Sequence, residues 1–149
     1  MDPGDAERLT RELGKVSQLV RAVRANALAP HGLHPGQDVV VWLLGRHPAG
    51  LTVRQIAEQL GLDGPSVTRS LVRLDDLGWF TRQPVPGDRR QVLVVPTQRA
   101  IALVGPVQDT WTTAAYTACA GMTEKEQQTF LAALDQVTTN LRTAIESRS

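Results

Sequence analysis

The sequence predicts a mainly α chain with one small antiparallel β-hairpin in its middle third. Three observations predict it. Apolar residues recur at steps of three and four over long stretches at both ends. Capping-box spacings at Thr52/Gln55 and Thr123/Glu126 mark two helix starts. A single stretch, FTRQPVPGDRRQVLVV at 80–95, sets aromatic and branched residues on either side of a Pro-Gly pair.

The 149 residues suit one domain with a real core. Formal net charge is only +1, so the chain is no polycation. Its charges are unevenly spread. From 46 to 99 there are eight arginines against five acids, and from 100 onward three bases against five acids. That asymmetry points an anionic partner at the middle segment. Fourteen arginines stand against two lysines, Lys15 and Lys125. Codon usage in a GC-rich genome and selection for phosphate and base contacts both produce that excess. Cys119 is the only cysteine, which excludes an internal disulfide and a cysteine-rich metal site. It reads as a small buried apolar residue or as an oxidant sensor. The opening MDPGDAERLT has no apolar signal core, and no run of about twenty apolar residues occurs. The expectation is a cytoplasmic chain with no membrane partner.

Taken in order, Leu9, Leu13, Val16, Val20, Val23 and Ala27 form one helical stripe over 5–28, widened by Leu19 and Leu28. Such a stripe packs on its own core or against a partner subunit. Pro30 and Gly32 break it. A shorter helix is expected over 35–45, with Pro35 in its first turn and Val39, Val40, Trp42, Leu43 and Leu44 along it. RHPAGL then reads as a loop.

The segment TVRQIAEQLGLDGPSVTRSLVRLDDLG carries the most information. A helix starts at Thr52 and buries Val53, Ile56, Ala57 and Leu60. Gly61 suits the left-handed residue that ends it. Leu62 is expected to plug into the core. Asp63 caps a second helix that carries Pro65 in its first turn. Val67, Leu71 and Leu74 form the buried edge of that helix. Ser66, Arg69, Ser70 and Arg73 share another face, small, polar and cationic, with no acid until Asp75 and Asp76. Helix, glycine turn and helix match a DNA-reading helix-turn-helix, though many helical hairpins share the pattern. Hydroxyls let a backbone approach phosphate, and arginine forks onto guanine in the major groove. Gly78 stops the helix. WFTRQ and QVLVVPT are the expected strands of a wing, with Pro86, Gly87, Asp88, Arg89 and Arg90 at its tip. An arginine there reaches the minor groove, where the potential is most negative. Asp88 is expected to pair with an arginine and hold the tip's shape. The remainder is helical: one segment over 97–118 with a bend at Pro106, then a helix from Thr123 striped by Phe130, Leu134, Val137, Leu141 and Ile145.

Over nearly its whole length, and most specifically over residues 51–97, the chain resembles the MarR family, the multiple-antibiotic-resistance-type transcriptional regulators. The matching pieces are Ile56–Leu60, the PSVTRSLVRL run Pro65–Leu74, Gly78, the D-x-R of Asp88 and Arg90, and Thr97. The resemblance implies a winged helix-turn-helix lobe over 46–97 and a helical dimerisation body from 5–45 and 98–147. It puts Ser66, Thr68, Arg69 and Arg73 on the recognition helix, makes Arg90 the minor-groove finger, and makes Asp88 its brace. It also implies a homodimer on a pseudo-palindromic double-stranded operator, and repression relieved by a small aromatic or anionic effector. Arg24, His31, His34, Trp42 and Trp111 would line the effector pocket. The duller alternative has the histidines in loops, the tryptophans in the core and Arg24 on a solvated face. The chain departs from the family pattern at Val85, Pro96 and Ala100. Cys119 lies in the wrong segment for the family's peroxide-sensing cysteine.

Two other function classes fit the sequence less well. An enzyme would need a nucleophile elbow, P-loop, dinucleotide fingerprint or metal-ligand cluster, and none is present. His31 and His34 have H-x-x-H spacing but no carboxylate or cysteine to complete a site, so no cofactor or metal is expected. A winged helix that docks on protein, without sequence-specific DNA binding, would lose the cations of the helix and wing. Arg69, Arg73, Arg89 and Arg90 are all present.

Overall fold

The structure, a computed structural model of the chain, describes residues 1–147. Two compact units divide it, Met1–Ala114 and Ala115–Ser149. In the first, helix α1 (Pro3–Leu28) starts at Asp2, whose side chain accepts from the Asp5 N–H at 2.9 Å. A short 3-10 turn, Ala29–His31, follows, and Gly32 closes it. Helix α2 spans Gln37–Gly45. It begins two residues after Pro35, which therefore precedes the helix and does not sit in its first turn. The intervening Gly36, at φ +101, is the N-cap and breaks helical geometry there.

The lobe's centre is strand β1 (Leu51–Thr52), helix α3 (Val53–Leu60), helix α4 (Gly64–Asp75), strand β2 (Phe80–Val85) and strand β3 (Asp88–Pro96). The capping box at Thr52 forms as expected: the Gln55 N–H donates to Thr52 Oγ1 at 3.2 Å, and the Thr52 N–H donates to Gln55 Oε1 at 2.9 Å. Gly61 is left-handed at φ +61, and the next N–H, from Leu62, donates back to the Ala57 carbonyl at 3.0 Å. Leu62 does not plug into the core; it is 43% exposed. Ile56, Val67, Leu71 and Leu74 are fully buried and fill the core from α3 and α4 without it. Asp63 caps α4 by accepting from the Ser66 N–H at 2.7 Å.

The sheet is antiparallel, in the order β1-β3-β2. β1 pairs Leu51 with Val94, a strand that two residues of sequence gave no period to reveal. Pro84 sits in β2, an edge strand, where its missing N–H costs no ladder bond. Phe80, not Trp79, begins that strand. Trp79 is buried in the core below the wing's root.

The expected segment over 97–118 is two helices, α5 (Gln98–Ala102) and α6 (Val104–Ala118). The break falls at Leu103, not at Pro106. A proline ring clashes with the carbonyl four residues earlier, here Ala102, the last residue of α5. Pro106 thus ends one helix and is tolerated in the first turn of the next.

In the second unit, helix α7 (Glu124–Glu146) starts at the Thr123 capping box, whose Thr123 N–H donates to Glu126 Oε2 at 2.7 Å. No residue of α7 is buried. Its stripe of Phe130, Leu134, Leu141 and Ile145 lies exposed, as do Leu9, Leu13, Val16 and Val23 of α1.

Gly45 holds α2 tightly against α5. A Cβ there would stand 2.6 Å from the Ala100 carbonyl oxygen and 2.6 Å from a Val104 methyl. Backbone cannot move aside as a side-chain tip can. Gly45→Ala should therefore lower the urea midpoint, by roughly 1–3 kcal/mol of stability, although alanine is the better helix former. An unchanged midpoint would show that α5 shifts freely.

Candidate nucleic-acid interface

Helix α4 presents its outer face because its inner face is used. Val67, Leu71 and Leu74 are buried, so Pro65, Thr68, Arg69, Val72 and Arg73 are turned to solvent. Ser66 and Ser70 lie at the flank, half-buried. The Ser66 hydroxyl is committed: it donates to Asp63 Oδ2 at 2.8 Å and accepts from Arg69 Nη2 at 2.9 Å. This chain folds Arg69 back towards the helix N-terminus. Asp63 sits at its end, its carboxyl held below the usual range by the Ser66 N–H first and the Ser66 hydroxyl second.

The wing follows α4 directly. Its turn is Pro86–Gly87, with Gly87 at φ +83, the proline-then-glycine order of a type II turn. That turn does not share the strands' twist and splays them. Pairing steps from Pro84 opposite Val92 to Val85 opposite Asp88, so Arg89, Arg90 and Gln91 have no counterpart on β2. β3 begins at Asp88, earlier than expected, and both arginines leave the hairpin on this irregular stretch, exposed. Asp88 braces it, though not by pairing with an arginine side chain. Oδ1 accepts from the Arg90 backbone N–H at 2.9 Å and Oδ2 from the Gln91 side-chain amide at 2.9 Å. These bonds, the Arg90 N–H foremost, hold its carboxyl below the usual range.

The wing is also tied to α4. Arg82 of β2 pairs with Asp75 at 3.3 Å. One of the two acids at the end of α4 is thereby paired. The Thr97 hydroxyl donates to the Gly78 carbonyl at 2.9 Å, and the Thr97 N–H donates to the Trp79 carbonyl at 3.1 Å, closing the hairpin's base. Among the described residues, Arg69, Arg73, Arg89 and Arg90 form no ion pair with a carboxylate.

Of the five residues expected around an effector, three meet. Trp42 of α2 and Trp111 of α6 stack tilted, with centroids 5.0 Å apart. The Arg24 guanidinium of α1 stands 6.0 Å from the Trp111 centroid. His34 is exposed and is held through its backbone N–H, which donates to Gln37 Oε1 at 3.0 Å. His31 lines an open cleft of about 590 Å³ with Trp79 and Arg99. At the centre of the first group is Asp38, which the sequence did not flag. It is 0% exposed. Oδ2 accepts from the Arg24 guanidinium and from Trp111 Nε1–H at 2.7 Å, and Oδ1 accepts from the Gly36 N–H at 2.8 Å. Burial pushes the Asp38 carboxyl up, but the bonds from Arg24, Trp111 and Gly36 together outweigh it and leave it below the ordinary range. Arg24 Nε and Trp42 Nε1, beside it, are buried donors without an acceptor.

The comparisons with known proteins agree with this geometry. A family model described as MarR family matches residues 31–91. The uncharacterized HTH-type transcriptional regulator YwoH of Bacillus subtilis is 32% identical over 92 residues, covering 62% of this chain and 66% of YwoH. The HTH-type transcriptional regulator PecS of Dickeya dadantii is 29% identical over 97 residues, covering 64% of this chain and 58% of PecS. A mutant MarR from E. coli, solved in complex with operator DNA, superposes with a TM-score of 0.78 at 26% identity, covering 92% of this chain and 99% of that one. The chain belongs to the MarR family. That is a family of transcriptional regulators, not of enzymes. Among the described residues no helix is long and apolar enough to cross a membrane, and no three metal-ligating side chains converge.

Asp38→Asn should destabilise this MarR-family chain at neutral pH by roughly 2–3 kcal/mol, because Arg24 loses its buried counter-charge. Asp38 has a lowered carboxyl pKa in the fold. Its contribution is therefore complete above the unfolded-chain aspartate value and fades as pH falls through the folded one. Urea titrations at stepped pH should show the wild-type and Asp38→Asn midpoints converging only in acid. A gap constant down to the most acid step would exclude the charge as its source.

Proposed function

We propose that the protein is a sequence-specific DNA-binding repressor that works as a homodimer and is released by a small planar anion. The observation that carries the DNA reading is the outward face of α4. Thr68, Arg69 and Arg73 stand exposed, with Ser66 and Ser70 at the flank and no acid before the helix end. Arg69 supplies base contact, Arg73 phosphate contact one turn on, and Arg90 a minor-groove contact, with Arg89 on phosphate. Dimerisation is supported by the exposed apolar stripes of α1 and α7, which leave large side chains in water in a single chain. The effector reading is supported by two of the three orphan buried donors among the described residues, Arg24 Nε and Trp42 Nε1, the third being Trp79 Nε1, and by the Trp42–Trp111 indole pair. An anionic ligand would offer acceptors to such donors, and a planar ring would stack on the indoles.

Selection from random duplexes should return a near-palindrome with half-sites about one helical turn, ~10 bp, apart. An asymmetric half-site as the sole product would remove the dimer. On the selected site, Arg69→Ala should cost roughly 1–3 kcal/mol and relax preference at one or two base pairs. A loss equal across all sequences would make Arg69 a phosphate contact.

The wing is tested by charge. Arg90→Ala should weaken binding and lower the salt slope by about one phosphate equivalent. Asp88→Ala removes a negative charge near DNA, so simple electrostatics predicts tighter binding. Loss of the brace on the Arg90 N–H predicts weaker binding, and the sign of the change in Kd decides between them.

A further inference from the structure

The exposed face of α4 has two parallel rows. Arg69 and Arg73 form one, and Thr68 and Val72, also four apart, form the other. Val72 is 60% exposed, the most exposed apolar side chain of the unit's two central helices. Neither burial nor backbone preference accounts for it. The inner face is already filled by Val67, Leu71 and Leu74. A branched residue is also a poorer helix former than the alanine, lysine or arginine that suit a solvated position. Its place beside Arg69 supplies a reason. The major groove offers one apolar feature, the C5-methyl group of thymine.

We propose that Val72, with the Thr68 methyl beside it, reads a thymine methyl group next to the base pair that Arg69 contacts. This deepens the DNA-binding reading of α4 and rests on it. Val72 is three residues beyond Arg69, about 4.5 Å along the helix axis. A base pair advances about 3.4 Å. The thymine therefore lies within one or two base pairs of the guanine. Val72 adds apolar discrimination to a helix whose other contacts are cationic or hydroxylic, and it rejects cytosine, which carries no methyl there.

Replacing each thymine of the selected duplex singly with deoxyuridine removes that methyl and leaves pairing intact. For the wild type, one position per half-site should lose about fourfold in affinity, the equivalent of ~0.8 kcal/mol for one buried carbon. It should lie within two base pairs of the position that Arg69→Ala relaxes. Val72→Ala should narrow the difference between the thymine and deoxyuridine duplexes at that position, the Thr68 methyl being left, while Val72→Thr, which keeps a γ-methyl, should retain it. Val72→Ala lies on an exposed face and improves helix propensity, so misfolding does not confound it. Equal binding of both duplexes by the wild type overturns the proposal, as does an undiminished thymine preference in Val72→Ala. If Arg69→Ala also leaves both affinity and sequence preference untouched, the reading of α4 as the recognition helix falls with it. If Arg69→Ala relaxes preference as expected, only the role of Val72 falls.

Discussion

One packing constraint sets everything this lobe offers to a partner: α4 must bury Val67, Leu71 and Leu74 together. Those three define one edge of a helix, and burying them leaves no freedom of rotation about the helix axis. The outward face follows from it, with Arg69, Arg73, Thr68 and Val72 in two rows. α3 supplies the wall against which this happens, through Ile56 and Ala57, and its length is set by two local devices, the Thr52 capping box and the left-handed Gly61. A helix rotated by one residue would bury Ser66, Ser70 and Arg73 in one sense or Thr68, Val72 and Asp75 in the other, so either rotation takes a charge out of water, which marginally stable chains do not tolerate.

The wing depends on α4 in turn. Its base is closed by Thr97 on Gly78 and Trp79, and its first strand is pinned to the end of α4 by the Arg82–Asp75 pair. That pair is exposed and contributes little to stability. Its value lies in position, since it offsets a negative charge at the end of α4 and sets the hairpin beside it. At the far end, the Pro86–Gly87 turn and the Asp88 bonds shape the stretch that carries Arg89 and Arg90. A stretch ordered before binding loses less free energy on binding.

What was legible in the sequence was local. Both capping boxes, the Gly61 turn, the Asp63 cap and the buried edge of α4 rest on residues three to seven apart, and periodicity reports that range directly. Non-local features were not legible. Strand β1 is two residues long and exists because β3 runs beside it. Asp38 carries no local signal; its partners Arg24 and Trp111 lie 14 and 73 residues away. Leu62 misled because an apolar residue in a turn is expected to be buried, whereas the core between α3 and α4 is complete without it. Pro106 was read as a bend at its own position, but its steric effect falls four residues earlier, so the break lies at Leu103. The site was legible in composition and less so in geometry. Asp88 was recognised as a brace, but on the wrong atoms, because sequence does not show that a backbone N–H is nearer than a guanidinium.

The proposed reading puts the outer face of α4 in the major groove. Methylation of guanine N7 in the selected duplex reports that groove directly, since N7 opens into it and arginine binds there. With protein bound, guanines should be protected in two clusters about one helical turn, ~10 bp, apart. Bound DNA whose guanine N7 positions stay fully reactive would contradict the claim and place the contact on the backbone or in the minor groove alone.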